Sequence, residues 1–364
     1  DQVDLDIKVK ERPTGSISLG AGYSTSEGII LSAGFAQNNV FGTGNSISVD
    51  VNTSKSQRTY ALSVVEPYIT PEGLSRSYDL YTRRVDLEEL DVADVEYETT
   101  GAGIAWGIPF TETDRVFLGG RIERTKVMVN NNSPQRYVTY RDEFGKDPLS
   151  FALTLGWSRD SRDNSLAPTR GVYQRLNGEF ALPGLDIEYY KFTYQYQHYL
   201  PLSKTWTLAF NTEVGFGDTY GSTTMFPFFK NYYAGGIGSV RGFESGSLGP
   251  RDVGTGAGDN LGGDRKWTGS IELLAPLPGG DRTLRIFGFL DWGSVWGYEG
   301  YYGAHGETLY RRSDMSLSDL RYSTGIGIAW ISPLGPLKFS IAAPLNDKEG
   351  DDIQRFQFQI GTGF

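Results

Sequence analysis

The feature that most constrains the fold is a repeated alternation of apolar and polar side chains. From Ser16 onward the chain is a succession of segments of roughly 8–12 residues with a period of two, joined by turns that are alternately short and long. One segment places apolar side chains on one face and small or polar side chains on the other: Phe151, Leu153, Leu155 and Trp157 against Ala152, Thr154, Gly156 and Ser158. Short turns at one end and long loops at the other are typical of membrane β-barrels.

The segments predict an all-β fold, a transmembrane antiparallel β-barrel of about 16 strands, since bacterial barrels have an even number. We place the barrel at residues 15–364, with a long loop at about 218–264 that folds into the lumen. The polar stretch 130–148 is predicted to be another long loop. The predicted strands lie near residues 16–23, 28–35, 45–53, 59–66, 75–85, 97–108, 114–129, 149–160, 190–196, 206–216, 265–275, 284–297, 320–331, 335–343 and 356–364.

Composition is consistent with strands and excludes a membrane-spanning helix. Glycine numbers 47 and aromatic residues make up 13%, while the mean hydropathy is −0.35. No window of about 20 predominantly apolar residues is present, which is what a transmembrane helix requires. A soluble β-sandwich is the structural alternative, but it would expose aromatic faces much larger than the apolar patches usual for monomers.

The chain carries no recognisable catalytic or metal-binding pattern. A net charge of −10 argues against nucleic acid as a partner, and the absence of cysteine removes disulfides, thiolate metal sites and cysteine nucleophiles. His198 and His305 have no partners at metal-ligand spacing. Residues 238–242 only mimic a nucleophile elbow, and 259–264 lack the spacing of a calcium loop. We therefore expect no catalytic residue, no metal and no cofactor.

The glycine-rich interval at 232–250 contains two tyrosines, a lone arginine and a phenylalanine, which indicates a loop that folds back and packs. Within it, Val240, Arg241, Gly242 and Phe243 resemble the conserved loop motif of the Omp85 family. Three further segments are similar to that family: 287–296, 332–339 and 355–364. The resemblance covers essentially the whole chain.

The first residues also resemble a part of that family. Val3, Leu5, Ile7 and Val9 alternate with polar residues up to Pro13, as in a half-buried strand. Residues 7–16 look like the junction between the last periplasmic POTRA domain and the barrel. Residues 1–14 are therefore predicted to be a remnant of that domain, and the alternative is a frayed first strand of a single domain.

The resemblance implies a function in the outer membrane of Gram-negative bacteria. Within the family, the chain most resembles the members that assemble other barrels. This resemblance implies an insertase that folds β-barrel proteins into the bilayer through a lateral gate, without nucleotide or cofactor. The implied partners are unfolded outer-membrane β-barrel proteins, the lipid bilayer with lipopolysaccharide, and accessory lipoproteins that bind mostly through POTRA domains. A two-partner secretion transporter and, further off, a passive porin are the alternatives.

Arg241 is predicted to reach into the lumen and pair with carboxylates on the following strands. Glu272 is one candidate, because its side chain lies on the opposite face of the predicted strand from that of Ile271. Asp291 is the other candidate. The resemblance implies the same pairing. Asp291 raises a conflict, because Phe287 and Phe289 would share its face unless the strand is bulged. The alternative is a solvated loop arginine.

The seam between the first and last strands is predicted to be weak, because both contain glycine, which forfeits side-chain packing. Ser18 is expected to face a position near Gln359. The alternative to a weak seam is that the last strand is an ordinary closing strand of the barrel. The predicted seam residues are Ser16, Ile17, Ser18, Leu19 and Gly20 on the first strand and Phe356, Phe358, Ile360, Gly361 and Phe364 on the last.

Overall fold

Sixteen antiparallel strands close into one barrel, so the predicted fold class is confirmed. The computed structural model describes residues 13–254, 258–277, 283–302, 308–332, 335–348 and 350–361. Within these ranges each barrel strand pairs with the barrel strand that precedes it and the one that follows, and the last returns to the first. The predicted remnant at residues 1–14 lies almost wholly outside the described residues, as do His305 and Phe364.

The strand boundaries agree with the period-two pattern to within a few residues. The barrel consists of β1 (Gly15–Ser24), β2 (Gly28–Gln37), β3 (Ser46–Thr53), β4 (Gln57–Glu66), β5 (Ser75–Asp86), β6 (Val95–Pro109), β7 (Asp114–Val129), β8 (Leu149–Asp160), β9 (Gly171–Ala181), β10 (Tyr189–Pro201), β11 (Thr207–Thr219), β13 (Arg265–Pro276), β14 (Leu284–Trp296), β17 (Arg321–Ser332), β18 (Gly335–Pro344) and β20 (Phe356–Ile360).

Other elements lie in the connections. Strand β12 (Gly242–Phe243) pairs with β19 (Ile353–Gln354), and β15 (Tyr298–Tyr302) forms a hairpin with β16 (Thr308–Arg312). A helix, α1 (Gln135–Phe144), lies in the segment that was predicted to be only a loop. Short 3₁₀ turns lie at Val40–Gly42, Glu88–Leu90, Phe228–Lys230 and Leu317–Asp319. No helix in the described part of the chain is long and apolar enough to cross a membrane.

Strand β9 was absent from the predicted strands, and its outward face explains why. Gln174 and Gly178 interrupt the apolar residues of that face, so the alternation is weak. The aromatic ring of Phe192 on β10 covers Gly178, where an added Cβ would come within 2.9 Å of the ring. A neighbouring strand therefore supplies the apolar surface that β9 lacks.

The two ends of the barrel differ. The long connection 220–264 and the segment with α1 lie at one end, where Tyr137, Tyr140 and Phe228 belong to the main buried cluster. The rings of Tyr137 and Phe228 stack with centroids 4.2 Å apart. No connection at the other end, the short-turn end, is longer than the ten residues 161–170, and short turns lie at the periplasmic end in bacterial barrels.

One short-end turn reaches across the opening of the barrel. In the turn at 161–170, the carbonyl oxygens of Ala167 and Pro168 accept hydrogen bonds from Arg285 on β14, at 2.5 and 2.9 Å. The side chain of Asp163 accepts from the backbone of Thr169 at 2.8 Å and fixes the shape of the turn. The turn thus packs beneath the strands that carry the lumen loop.

Candidate functional site: the lumen loop and the seam

The connection between β11 and β13 folds back into the barrel, as its aromatic residues predicted. Tyr232 and Gly263 exchange two backbone hydrogen bonds, at 2.7 and 3.0 Å, which closes the base of the loop. Higher in the loop, the backbone N–H of Leu248 donates to Ala234 at 3.0 Å. Loop side chains then form one buried cluster with the wall: Tyr232, Ala234, Val240, Phe243, Leu248 and Val295.

Arg241 lies at the centre of the contact between loop and wall. Its side chain is 2% exposed and forms a two-bond fork with Asp291, Nε to Oδ2 at 2.7 Å and Nη2 to Oδ1 at 2.6 Å. The Arg241 backbone N–H donates to the same carboxylate at 3.0 Å. Nη1 lies 2.6 Å from Glu272 on β13. Both predicted carboxylates are therefore in contact with the arginine, and the two-bond geometry is the strong form of such a pair.

The conflict over Asp291 is resolved without a bulge. The register of β14 against β13 is continuous, so Phe287, Phe289 and Asp291 do share the lumen face, and all three are buried. The guanidinium carbon of Arg241 lies 3.6 Å from the centroid of the Phe289 ring. The expectation that inward aromatics would require a bulge was wrong, because the planar guanidinium binds the carboxylate and stacks on the ring together.

The rest of the motif connects the loop to the last strands. Gly242 has φ 91°, and a Cβ there would come within 3.1 Å of the Cβ of Ala342 on β18. The Phe243 carbonyl accepts a hydrogen bond from the buried side chain of Gln357 on β20, at 2.7 Å. The backbone N–H of Glu244 donates to Asp352 at 2.8 Å. The motif therefore contacts β13, β14, β18 and β20.

A second anchor, which sequence reasoning missed, holds the start of the loop. Lys230 Nζ lies 2.6 Å from Glu123 on β7 and 2.8 Å from Glu179 on β9, and Arg121 pairs with both carboxylates. Burial alone would lower the pKa of Lys230, but Glu179 and Glu123 raise it well above its ordinary value. Inward-facing glutamates on the two strands that flank β8 were the available signal, and it was lost because β9 was not recognised.

The seam between β1 and β20 is the shortest junction in the described barrel. In the described residues β1 pairs with β20 only at Tyr23 with Ile360 and Ser24 with Gln359. The backbone N–H of Thr25 adds one bond to Phe358 at 3.0 Å. By contrast, β1 pairs with β2 along its whole length, from Gly15–Gln37 to Ser24–Gly28.

Glycines bring strands β1 and β20 unusually close at the seam. A Cβ on Gly22 would come within 2.6 Å of the carbonyl oxygen of Ile360, and one on Gly361 would come within 2.5 Å of the Cα of Gly22. Gly361 also has φ 117°, a conformation that favours glycine. This close contact requires glycine on both strands.

The predicted register of the seam was wrong. Gln359 lies opposite Ser24 and not Ser18. Residues 16–20 lie on β1 but pair in the described structure only with β2, and the side chains of Ile17 and Leu19 are 79% and 82% exposed. Phe356 and Phe358 pair with β18, and Ile360 pairs with both β18 and β1. The seam contacts of the described residues therefore lie toward the long-loop end of β1.

In the ranges that the structure describes, no group of three His, Cys, Asp or Glu side chains is arranged to hold a metal ion. His198 contacts Tyr196 through Nδ1 at 3.3 Å. Asp264, at the end of the acidic run 259–264, is 2.8 Å from Arg312 and is charge-compensated by it.

Comparison with known proteins agrees with this geometry. The Omp85 superfamily domain matches residues 39–364. The outer membrane protein assembly factor BamA of Neisseria meningitidis serogroup B is 41% identical over 100% of this chain and 49% of its own length. The chain thus spans about half the length of this relative.

Solved structures give the same result. The crystal structure of BamA from Haemophilus ducreyi lacking POTRA domains 1–3 has a TM-score of 0.85 at 29% identity, covering 97% of this chain and 71% of that one. CdiB from Escherichia coli has a TM-score of 0.58 at 14% identity, covering 97% of this chain and 63% of that one, and shows only a shared fold. The chain belongs to the Omp85 superfamily and is a β-barrel of the bacterial outer membrane.

Proposed function

We propose that this chain is the membrane part of an insertase that folds β-barrel proteins into the outer membrane through the seam between β1 and β20. The observation that carries the proposal is the short pairing of β1 with β20 in the described residues, beside the full-length pairing of β1 with β2. The names of the relatives, which are assembly factors, support the same activity.

The physical basis is the cost of unpaired backbone in lipid. A strand edge in the hydrocarbon core leaves N–H and C=O groups unsatisfied, at several kcal/mol each. An incoming strand that pairs with such an edge removes this cost, as in β-augmentation. A junction with two residue pairs in its described part can exchange its partner for a client strand at a lower cost than a junction paired along the whole strand can.

The lumen loop defines which side of the seam moves. Gln357 ties β20 to the loop through Phe243, and Arg241 ties the loop to Asp291 on the wall. No comparable loop contact is present at residues 16–20 in the described structure. We propose that β20 stays fixed from inside while β1 and its neighbours swing away.

The proposed activity needs no nucleophile, metal or nucleotide, because its driving force is the folding of the client. Its substrates are unfolded outer-membrane β-barrel proteins, and the bilayer with lipopolysaccharide surrounds the seam. Accessory lipoproteins are proposed to bind outside the barrel, through the POTRA domain that residues 1–14 would complete. A passive porin is disfavoured by the loop that packs against the wall inside the lumen.

A disulfide across the seam tests the proposal. The chain has no cysteine, so Ser24→Cys with Gln359→Cys, in the full-length protein, gives a single defined bond at an observed pair. Oxidation should stop insertion of client barrels into liposomes, and reduction should restore it.

The matched control is Ser16→Cys with Ala36→Cys, which joins two strands that are already paired along their length. Its oxidation should leave insertion unchanged. Full activity with the seam disulfide formed would reject the lateral route and favour secretion of a polypeptide through the lumen, as in two-partner secretion.

A further inference from the structure

The lipid-facing side of β14 has a gap in its row of apolar side chains. Across the sheet, the paired positions run from Leu273 through Gly288 and Ile326 to Ile341. Every member of this row except Gly288 carries a large apolar side chain. Neighbouring strands lie about 4.8 Å apart, so the strands on either side of Gly288 are roughly 10 Å from each other.

Nothing in the described protein fills this gap. The nearest atom to a Cβ built on Gly288 is the carbonyl oxygen of Gly325, at 3.8 Å. The neighbouring glycines of β17 are different, because the ring of Phe287 lies over Gly327 and that of Phe289 over Gly325, with Cβ distances of 2.3 and 2.7 Å. Those two glycines are required by packing in the lumen, whereas Gly288 leaves a groove on the outer surface.

The groove is apolar and faces one leaflet. It has a volume of about 480 Å³ and is lined mainly by Trp206, Leu273, Ile286, Ile326, Ile328 and Ile341. Residue 286 is near the start of β14, at the short-turn end, so the groove lies in the periplasmic half of the belt. Trp206 follows the short turn between β10 and β11, where tryptophan commonly lies at the membrane interface.

We propose that this groove holds one acyl chain of a phospholipid from the periplasmic leaflet. It is continuous with the exposed apolar belt that contacts the membrane, including Leu273 and Ile326. A volume of about 480 Å³ is larger than any single side chain and has room for a hydrocarbon chain. None of the described side chains that line the groove is charged, so the ligand is recognised by its apolar chain, while the Trp206 ring contacts the interfacial part of the lipid.

The test uses a phospholipid with a photoactivatable diazirine in its acyl chain. The full-length protein in nanodiscs is irradiated, and mass spectrometry maps the labelled residues. Labelling should concentrate on the groove relative to the rest of the belt. Gly288→Leu places a side chain in the groove and should lower labelling there roughly tenfold. This is the affinity lost when one or two methylene groups of the acyl chain are no longer buried in the groove.

Ala102 supplies the matched control. It lies between Leu80 on β5 and Ile122 on β7, the same arrangement on a distant part of the belt, but with a methyl group in the gap. Ala102→Leu should leave labelling of the groove unchanged. Gly288→Ala, whose methyl group has room, should lower labelling less and in the same direction, so a folding defect in the leucine variant would not end the test.

Unchanged migration of the unboiled protein on a denaturing gel shows that each variant barrel is folded. Uniform labelling along the belt, or labelling of the groove that Gly288→Leu does not change, would overturn the proposal. Either result would show that the groove contacts bulk lipid in the same way as the rest of the belt. A client protein or a second copy of the chain crosslinked in the groove in place of lipid would overturn it as well. None of these readouts depends on the insertase activity.

Discussion

Two junctions of the same barrel are built in opposite ways. The β13–β14 wall is paired from Arg265–Trp296 to Pro276–Arg285, and its lumen face holds the guanidinium of Arg241. The β1–β20 seam is paired at Tyr23 and Ser24 in the described residues, with glycine at the point of closest approach. Closure of a barrel therefore does not require equal strength at every junction.

The difference teaches where rigidity originates. Backbone pairing alone would make all sixteen junctions alike, apart from their lengths. The lumen loop adds buried ion pairs to one half of the wall, through Arg241 and Lys230, whereas it holds the last barrel strand through the hydrogen bond to Gln357. A barrel can thus keep its shape while one junction stays easy to open.

Loss of Asp291 should have the largest effect. Asp291→Ala removes both bonds of the fork and leaves Arg241 buried with Glu272 alone. Breaking a buried pair costs 3–5 kcal/mol, and we expect about 3 kcal/mol in the free energy of unfolding because Glu272 remains. Urea unfolding followed by gel migration measures the change, and proteolysis of the loop should become faster.

Arg241→Met with Asp291→Leu is the control for this prediction, since replacing both partners removes the buried guanidinium, while Lys338, 3.7 Å from Glu272, still compensates that carboxylate. The double variant should recover much of the lost stability. Equal stability of Asp291→Ala and the unmodified protein would show that the wall does not depend on this pair.

Loss of the second anchor should have a smaller effect. Lys230→Met removes two charged hydrogen bonds, to Glu123 and Glu179, but Arg121 still compensates these carboxylates. We expect roughly 2 kcal/mol in the free energy of unfolding, the typical worth of hydrogen bonds to charged groups. Lys204→Met, at an exposed lysine in a short-end turn, is the matched control and should change stability little.

An effect of Lys230→Met no larger than that of Lys204→Met would contradict the second anchor. A further check is the protease sensitivity of residues near Phe228, which should increase in the first variant only.

The sequence predicted the faces of the strands well, and their register poorly. Alternation with a period of two residues determines which side chains share a face, and this placed Glu272 in the lumen with Arg241. The same period is satisfied by any shift of two residues, so it could not distinguish Ser18 from Ser24 as the partner of Gln359. The glycines of the first and last strands predicted a weak seam, but no local pattern predicted how far the pairing of its described residues extends.

Tertiary packing accounts for the other differences. The strand at 171–181 was missed because Phe192 on its neighbour supplies the apolar surface at Gly178. The inward aromatics beside Asp291 looked inconsistent with a lumen carboxylate, because the loop that covers them is remote in sequence. Such compensation between distant segments is invisible to reasoning on one segment at a time.

The smallest effect on global stability is expected at the seam itself. Gly22→Ala would put a methyl group 2.6 Å from the carbonyl oxygen of Ile360, so the ends of β1 and β20 must separate. The two residue pairs lost in the described part of the seam lie at the last residues of β1, beside the turn at 25–27, where water can satisfy the freed backbone groups. We therefore expect a smaller change in the free energy of unfolding than for Lys230→Met. In the Ser24→Cys with Gln359→Cys background, disulfide formation should nevertheless become markedly slower.

Gly103→Ala on β6 separates this local effect from a general cost of replacing strand glycines. A Cβ at Gly103 would meet its nearest neighbour, the Cβ of Arg121, at an ordinary 3.4 Å, so the seam disulfide should form at the unmodified rate. Slowing by Gly22→Ala alone would show that the glycine contact controls closure of the seam. If Gly22→Ala instead cost as much stability as Asp291→Ala, the seam would be as important to the fold as the wall, and the contrast between the two junctions would be wrong.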